Sequence, residues 1–202
     1  EGRSAYMQGN FAAAHSQWMK VAETNRFYVS ARYMRGVMSV RTRNFKQAET
    51  LFCDVASPQA KKKHLLFADE RYMDVRDLSR LALGRITHEQ GRSDDAFYYY
   101  FQVPNDSERV AEAIFESAYA MYEGNDNDTA IDLLDQLKAK FPNSIYDDEA
   151  RLLRAYVHIA RCDFEPARKL FEGILSQYSP VLSETRQLLG QQSARQMLYE
   201  EV

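Results

Sequence analysis

The sequence predicts an all-α fold, a solenoid of antiparallel helix pairs, and three observations predict it. Ala14, Ala48, Ala96, Ala130 and Ala167 share one seven-residue frame. Each is followed four residues on by Trp18, Phe52, Tyr100, Leu134 or Phe171, and three residues later by Val21, Val55, Val103, Leu137 or Ile174. The intervals between the alanines are 34, 48, 34 and 37 residues, and a repeat of this length marks stacked supersecondary units. Twelve residues before each alanine stands another small residue: Gly2, Gly36, Gly84, Ala118 or Ala155. Each unit should therefore contain two helices that meet at small side chains.

Spacings of three, four and seven put the frame residues on one face of a helix. Phe11, Phe45 and Phe164, three residues before their alanines, extend that face in three units. The turn between the helices falls on Gly9, Arg43, Gly91, Asn125 or Cys162, with Gly124 one residue early in the fourth unit. Of these only the glycines are good helix stops. In order, the expected helices are a stub at 2–8, then 11–24, 28–41, 44–56, 74–90, 92–102, 107–123, 127–141, 145–161 and 164–178. Ser107 and Ser144 occupy expected N-cap positions, and Asp163 is expected to cap the last repeat helix. Ala130 and Ala167 should be buried at helix contacts, whereas Asp126 reads as an exposed position where substitution is near neutral.

The interval of 48 residues contains an insertion within 57–73. Ser57–Pro58 reads as an N-cap followed by a first-turn proline. Lys61, Lys62, Lys63 and His64 form a short basic cluster, read as a solvated helix extension or as a docking element for an acidic partner. Residues 180–200 read as a separate capping helix with Leu182, Leu188, Leu189 and Met197 on its apolar side, which solenoids need to cover the last core. The organisation expected is one domain over 1–202, with repeats at about 1–25, 28–57, 74–106, 107–143 and 144–179. Because Gly2 already occupies the small position, the first repeat begins within its first helix, and residue 1 is expected to be a truncation or processing boundary.

The small residue, the Gly-x-Phe-x-x-Ala turn, the ring and the aliphatic at these offsets, with Pro142 closing the fourth unit, resemble the tetratricopeptide repeat. The resemblance covers nearly the whole chain and implies a right-handed superhelical solenoid whose first helices line a peptide-binding groove. Carried over position by position, the groove residues are Tyr6, Tyr33, Val37, Arg41, Arg85, His88, Phe115, Tyr119, Tyr122, Leu152 and Tyr156. Tyrosine and arginine are favoured where binding energy concentrates. Some members of the family grip C-terminal carboxylates with lysine and asparagine. Tyr33, Val37, Leu81 and Arg85 stand at those positions here, so that clamp is not supported and a cytosolic chaperone cofactor becomes the weaker alternative.

Residues 79–178 carry a narrower resemblance. Leu81–Arg85, Tyr98–Tyr100 leading to Ser107, Ala113–Tyr119 and Cys162–Ala167 are similar to tetratricopeptide-repeat proteins of the Gram-negative envelope, particularly those associated with gliding motility. Phe141–Tyr146 followed by Asp147–Ala150 resembles the linker of outer-membrane lipoproteins of this kind. This implies a periplasmic or envelope-associated scaffold, with a cytoplasmic location as the alternative.

Catalytic, metal and cofactor sites are not expected. His15, His64, His88 and His158 lack metal-ligand spacing, and Asp147–Glu149 complements a helix dipole. There is no phosphate-binding glycine loop and no Gly-x-Ser-x-Gly elbow. Cys53 and Cys162, three repeats apart, are too distant to pair. The net charge of −3 argues against nucleic acid, and no apolar run approaches the 18 residues or so of a membrane span. Charge is uneven: basic residues exceed acidic ones by seven in 1–66, and acidic exceed basic by nine in 104–149. Such polarity could steer a protein partner or favour head-to-tail self-association. The expected function is a non-catalytic adaptor, with a self-associating structural element as the alternative.

Overall fold

The computed structural model describes residues 1–56 and 70–190. Among them are ten α-helices and no strand: α1 (Gly2–Met7), α2 (Phe11–Met19), α3 (Tyr28–Arg41), α4 (Phe45–Ala56), α5 (Glu70–Glu89), α6 (Ser93–Phe101), α7 (Val110–Glu123), α8 (Asn127–Lys140), α9 (Asp147–Ala160) and α10 (Phe164–Gly190). The chain divides into two compact units, Glu1–Phe141 and Pro142–Val202. In the first unit α1–α2, α3–α4, α5–α6 and α7–α8 pack as hairpins, each second helix also touches the next first helix, and α5 lies against both α3 and α7. In the second unit α9 packs on α10.

The five frame alanines are buried, none more than 2% exposed. The reason is steric. A Cβ added at Gly2, Gly36 or Gly84 would fall under 3.0 Å from the ring of Trp18, Phe52 or Tyr100. Each ring therefore lies directly against the backbone of the preceding helix. Where the ring is replaced by Leu134, the facing small residue is Ala118, and both remain buried. These contacts seed three clusters, around Ala14–Trp18, Phe52–Leu83–Ile86 and Leu81–Tyr100–Val110. The second unit has a thinner core of Ala150, Leu153, Ala155, Val157 and Ala167. There Phe171 and Ile174 are half-buried, and Phe164 is 64% exposed.

All five turn positions adopt positive φ: Gly9 (76°), Arg43 (55°), Gly91 (71°), Asn125 (63°) and Cys162 (62°). The residue after each closes the helix behind it with a backbone bond to the carbonyl five residues earlier, as in Asn44 N–H to Ser39 (2.8 Å) and Asp163 N–H to His158 (2.8 Å). This is the Schellman arrangement, usually built on glycine. The carbonyl of the same residue then accepts the N–H of the frame alanine, opening the second helix. One tight turn thus ends one helix and starts the next. Gly124, the alternative stop, has φ −74°; it is small because a side chain there would meet Ser93.

Several boundaries differ from the sequence reading. Ser107 and Ser144 are not the N-caps; α7 and α9 begin three residues after them, with Arg109 and Tyr146 at the cap positions. Each serine forms a turn ahead of its helix, its hydroxyl accepting the N–H two residues on at 3.2 Å. Asn25 does the same for Phe27 at 2.9 Å. Helix α2 stops at Met19 rather than 24. Residues 70–73, assigned to the insertion, are already helical in α5, and Tyr72 anchors them by donating to the Val55 carbonyl at 3.3 Å. The rest of the insertion, with Ser57–Pro58 and the Lys61–His64 cluster, lies outside the described residues. No helix boundary separates 178 from 180; α10 runs through Pro180 to Gly190, with Leu182, Leu188 and Leu189 exposed. Met197 lies outside the described residues. Cys53 and Cys162 are both free thiols, and burial raises the pKa of Cys53. At Asp163 the backbone carbonyl supports the helix start, while the carboxylate lies 3.3 Å from Arg161 Nε.

Asp126 is not a neutral position. Its carboxylate caps α8, accepting the Thr129 N–H at 3.1 Å and the Thr129 hydroxyl at 2.7 Å, and these bonds hold its pKa below the usual value. A depressed folded-state pKa adds stability above the unfolded value, near about 4, and that stability is lost as pH falls through the folded value. Asp126→Ala should therefore cost about 1 kcal/mol at neutral pH, and the deficit should shrink in urea titrations below about pH 4. A second test addresses packing. Gly84→Ala should cost roughly 1–3 kcal/mol by overpacking against Tyr100. In a double-mutant cycle, adding Tyr100→Leu should cost less on Gly84→Ala than on wild type, because the pair then matches Ala118 and Leu134. Additive losses in chemical denaturation would locate the strain elsewhere.

Candidate functional site

The site begins with a sequence spacing on α7. Glu112, Glu116, Tyr119 and Glu123 are separated by four, three and four residues, so they form one stripe along the helix. Helix α5 packs beside α7 and presents Arg85, His88 and Glu89. Between the two lies an open groove of about 610 Å³ lined by Arg85, His88, Glu89, Tyr100, Phe115, Glu116, Tyr119 and Glu123.

Arg85 is bound within this groove and is not available as a free cation. Its Nε donates to both Glu116 oxygens at 3.0 and 2.9 Å, and its Nη2 reaches Glu112 at 2.5 Å. The Glu116 bonds, outweighing burial, raise the guanidinium pKa further. Two carboxylates of its own chain thus occupy this guanidinium. His88 Nε2 is 2.8 Å from Glu123, and its ring meets Tyr119 edge-on at 5.5 Å. Tyr119 is 42% exposed, and its hydrogen bond to Glu123 raises its phenol pKa. Phe115 is half-buried on the groove wall. Tyr100 forms the floor at 2% exposure. Burial, with the charge and hydrogen bonding of the neighbouring Glu116, pushes its pKa well above the ordinary phenol value, and its hydroxyl oxygen accepts from no group.

The other expected groove residues divide. Tyr33 and Val37 on α3 are partly buried against the Phe52–Leu83 cluster, Tyr33 at 5.5 Å from the Phe52 ring, and burial raises its pKa. Both serve packing between α3 and α4. Arg41 is exposed, with its guanidinium 3.9 Å above the centre of the Phe11 ring. Tyr6 packs edge-on against Phe11 and beside Trp18. Tyr122 is half-buried on α7 and does not line the groove. In the second unit Leu152 and Tyr156 are exposed on α9, Tyr156 meeting Phe171 edge-on at 5.8 Å.

Glu89, Tyr100, Glu116 and Glu123 are groove residues that the sequence reading does not contain. The signal for the two α7 carboxylates was the four-three-four spacing around Tyr119. Tyr100 is the ring of the repeat frame and serves the core as well as the groove floor. A second concavity, of about 430 Å³, lies among α6, α7 and α8, with Phe97, Phe101, Ile114 and Leu133 among its walls. Phe97 and Phe101 stack there at 6.0 Å. No described helix is long and apolar enough to cross a membrane. Among the described residues no group of three or more His, Cys, Asp and Glu side chains is placed to hold a metal ion.

Comparison with protein families gives two matches. Residues 1–61 match a family described as tetratricopeptide repeat, and residues 112–144 match a second family of the same description. Comparison with curated proteins gives no match.

Proposed function

We propose that this chain of tetratricopeptide repeats is a non-catalytic adaptor that holds a peptide or helical segment of another protein against the α5–α7 groove. Repeats of this kind indicate a protein–protein interaction scaffold. The observation that carries the site is the groove itself: exposed Tyr119 and half-buried Phe115 line it between corresponding helices of successive repeats. Such a strip offers apolar contact at low entropic cost, with polar groups alongside to fix orientation. Arg41, Leu152 and Tyr156, exposed on other first helices, are further contact candidates. The setting we propose is a bacterial envelope complex of the motility or outer-membrane kind. Its support is the resemblance of residues 79–178, and a cytoplasmic setting is the alternative. The chaperone-cofactor reading loses support because the family's carboxylate-gripping residues are missing.

Tyr119→Ala tests the site. Against the tightest peptide selected from a displayed library, it should weaken binding by about 1–2 kcal/mol, the scale of a hot-spot ring, with an unchanged unfolding midpoint. Unchanged affinity would remove the groove from the binding surface. A lowered midpoint would indicate that the ring serves the fold.

A second reading, self-association, is favoured by α10. Exposed Leu175, Tyr178, Leu182 and Leu189 recur at intervals of three, four and seven, the spacing of a helix–helix seam. Tyr178 also donates to Asp148 on α9. Light scattering at low and high salt should then report a concentration-dependent dimer that Leu182→Glu dissolves. A monomer at all concentrations would rule this reading out.

A further inference from the structure

The α5–α7 groove has a chemical bias that the repeat architecture does not require. Its lining carries three carboxylates, Glu89, Glu116 and Glu123, and one guanidinium, Arg85, with Glu112, Asp74 and Arg109 in the ion pairs that continue from it. Both cations are already paired: Arg85 with Glu112 and Glu116, Arg109 with Asp74 at 3.7 Å and Glu112 at 3.5 Å. Glu123 is shared between Tyr119 and His88, which is charged only when protonated. Glu89 has no ion-pair partner among the described residues and stands exposed at the groove edge. Among the described residues the negative charge therefore exceeds what the neighbouring cations neutralise.

Carboxylates alone would mark only a solvated helix face. Two further features point to a ligand. The carboxylates border an open cavity walled by Tyr119 and Phe115, whose ring faces attract cations. At the floor, the Tyr100 side chain is buried, at 2% exposure, with its hydroxyl beside Glu116 and its oxygen accepting from no group. A donor entering from the groove would give that oxygen a bond to accept.

We propose that the groove receives a lysine or arginine side chain from a basic segment of the partner protein. The cation lies against Tyr119 and Phe115, its N–H groups reach Glu116, Glu123 or Glu89, and the Tyr100 hydroxyl oxygen accepts from it at the floor. Flanking basic residues of the segment meet the remaining carboxylates, which also steer its approach. This rests on the adaptor reading above and specifies its partner by chemistry: a cationic peptide, not the acidic C-terminus gripped by clamp-type relatives.

The test uses the whole chain and a displayed library of twelve-residue peptides, followed by fluorescence polarisation with individual peptides. Selected peptides should be enriched in lysine and arginine, and their affinity should fall steeply with salt. Glu89→Gln with Glu123→Gln should weaken them about tenfold, or about 1.4 kcal/mol. An equal loss of charge away from the groove, Asp106→Asn with Asp132→Asn, should not. If the groove pair lowers the unfolding midpoint, Glu89→Lys alone carries the comparison, since it lies at the end of α5 where a cation suits the helix dipole. Enrichment of acidic or apolar peptides whose binding Tyr119→Ala abolishes would overturn the cationic assignment while leaving the adaptor reading intact. Equal weakening by groove and distant pairs would reduce the effect to general charge and overturn it as well. Failure to select any peptide sensitive to Tyr119→Ala would overturn both.

Discussion

The contact of a ring with a glycine backbone sets the geometry from which the rest follows. Trp18, Phe52 and Tyr100 each lie where a Cβ on the facing Gly2, Gly36 or Gly84 would stand. Removing that one carbon brings two helix axes close enough for a large apolar face to be buried within a hairpin, and a buried aromatic side chain contributes roughly 1.5–3 kcal/mol. The fourth repeat reaches the same fit with other volumes, Leu134 against Ala118. Cores tolerate such exchanges when the summed volume is kept. The same close packing brings successive first helices side by side, so that Arg85 on α5 reaches Glu112 and Glu116 on α7. The site therefore inherits its dimensions from the core.

Much of this was legible because packing imposes a period. The alanine frame located the buried positions, and its phase located the turns even where the residue gave no sign of one. Arg43 and Cys162 are poor candidates for positive φ on chemical grounds, yet both adopt it. Five in-phase repeats of the Schellman turn impose the geometry, and side-chain preference yields to it. What the period could not supply was side-chain commitment. Tyr33 and Val37 stand at groove positions, but α3 uses them to complete the Phe52–Leu83 cluster. Ser107 and Ser144 have the chemistry of N-caps; the turns they form accept N–H groups before the helix proper begins. Asp126 looked like any exposed acid because capping depends on a boundary placed to the residue.

The groove was half legible for a related reason. The aromatic positions Phe115 and Tyr119 came from the repeat frame, whereas the carboxylates depend on which way a neighbouring stripe turns. Glu116 and Glu123 belong to the charge excess of 104–149 that the sequence displayed, but only the packing of α7 beside α5 turns part of that excess toward one cavity. The network it forms also holds Arg85 in one orientation. A guanidinium fixed by several oxygens has already lost its rotamer freedom, so the wall it forms is ordered before any partner arrives.

The passage of α10 through Pro180 has a consequence for motion. A proline inside a helix removes one backbone hydrogen bond and opposes the carbonyl four residues earlier, at a cost of about 3 kcal/mol. Ordinarily tertiary packing offsets such a cost. From Gln177 to Gly190 every residue of α10 is exposed, so little burial is available beyond the proline to do so. The helix is thus divided energetically at the proline. Its first turns share the stability of the α9 contact, while the segment beyond Pro180 opens as a local unit. Backbone amides there exchange with solvent through that opening, without waiting for the second unit to unfold.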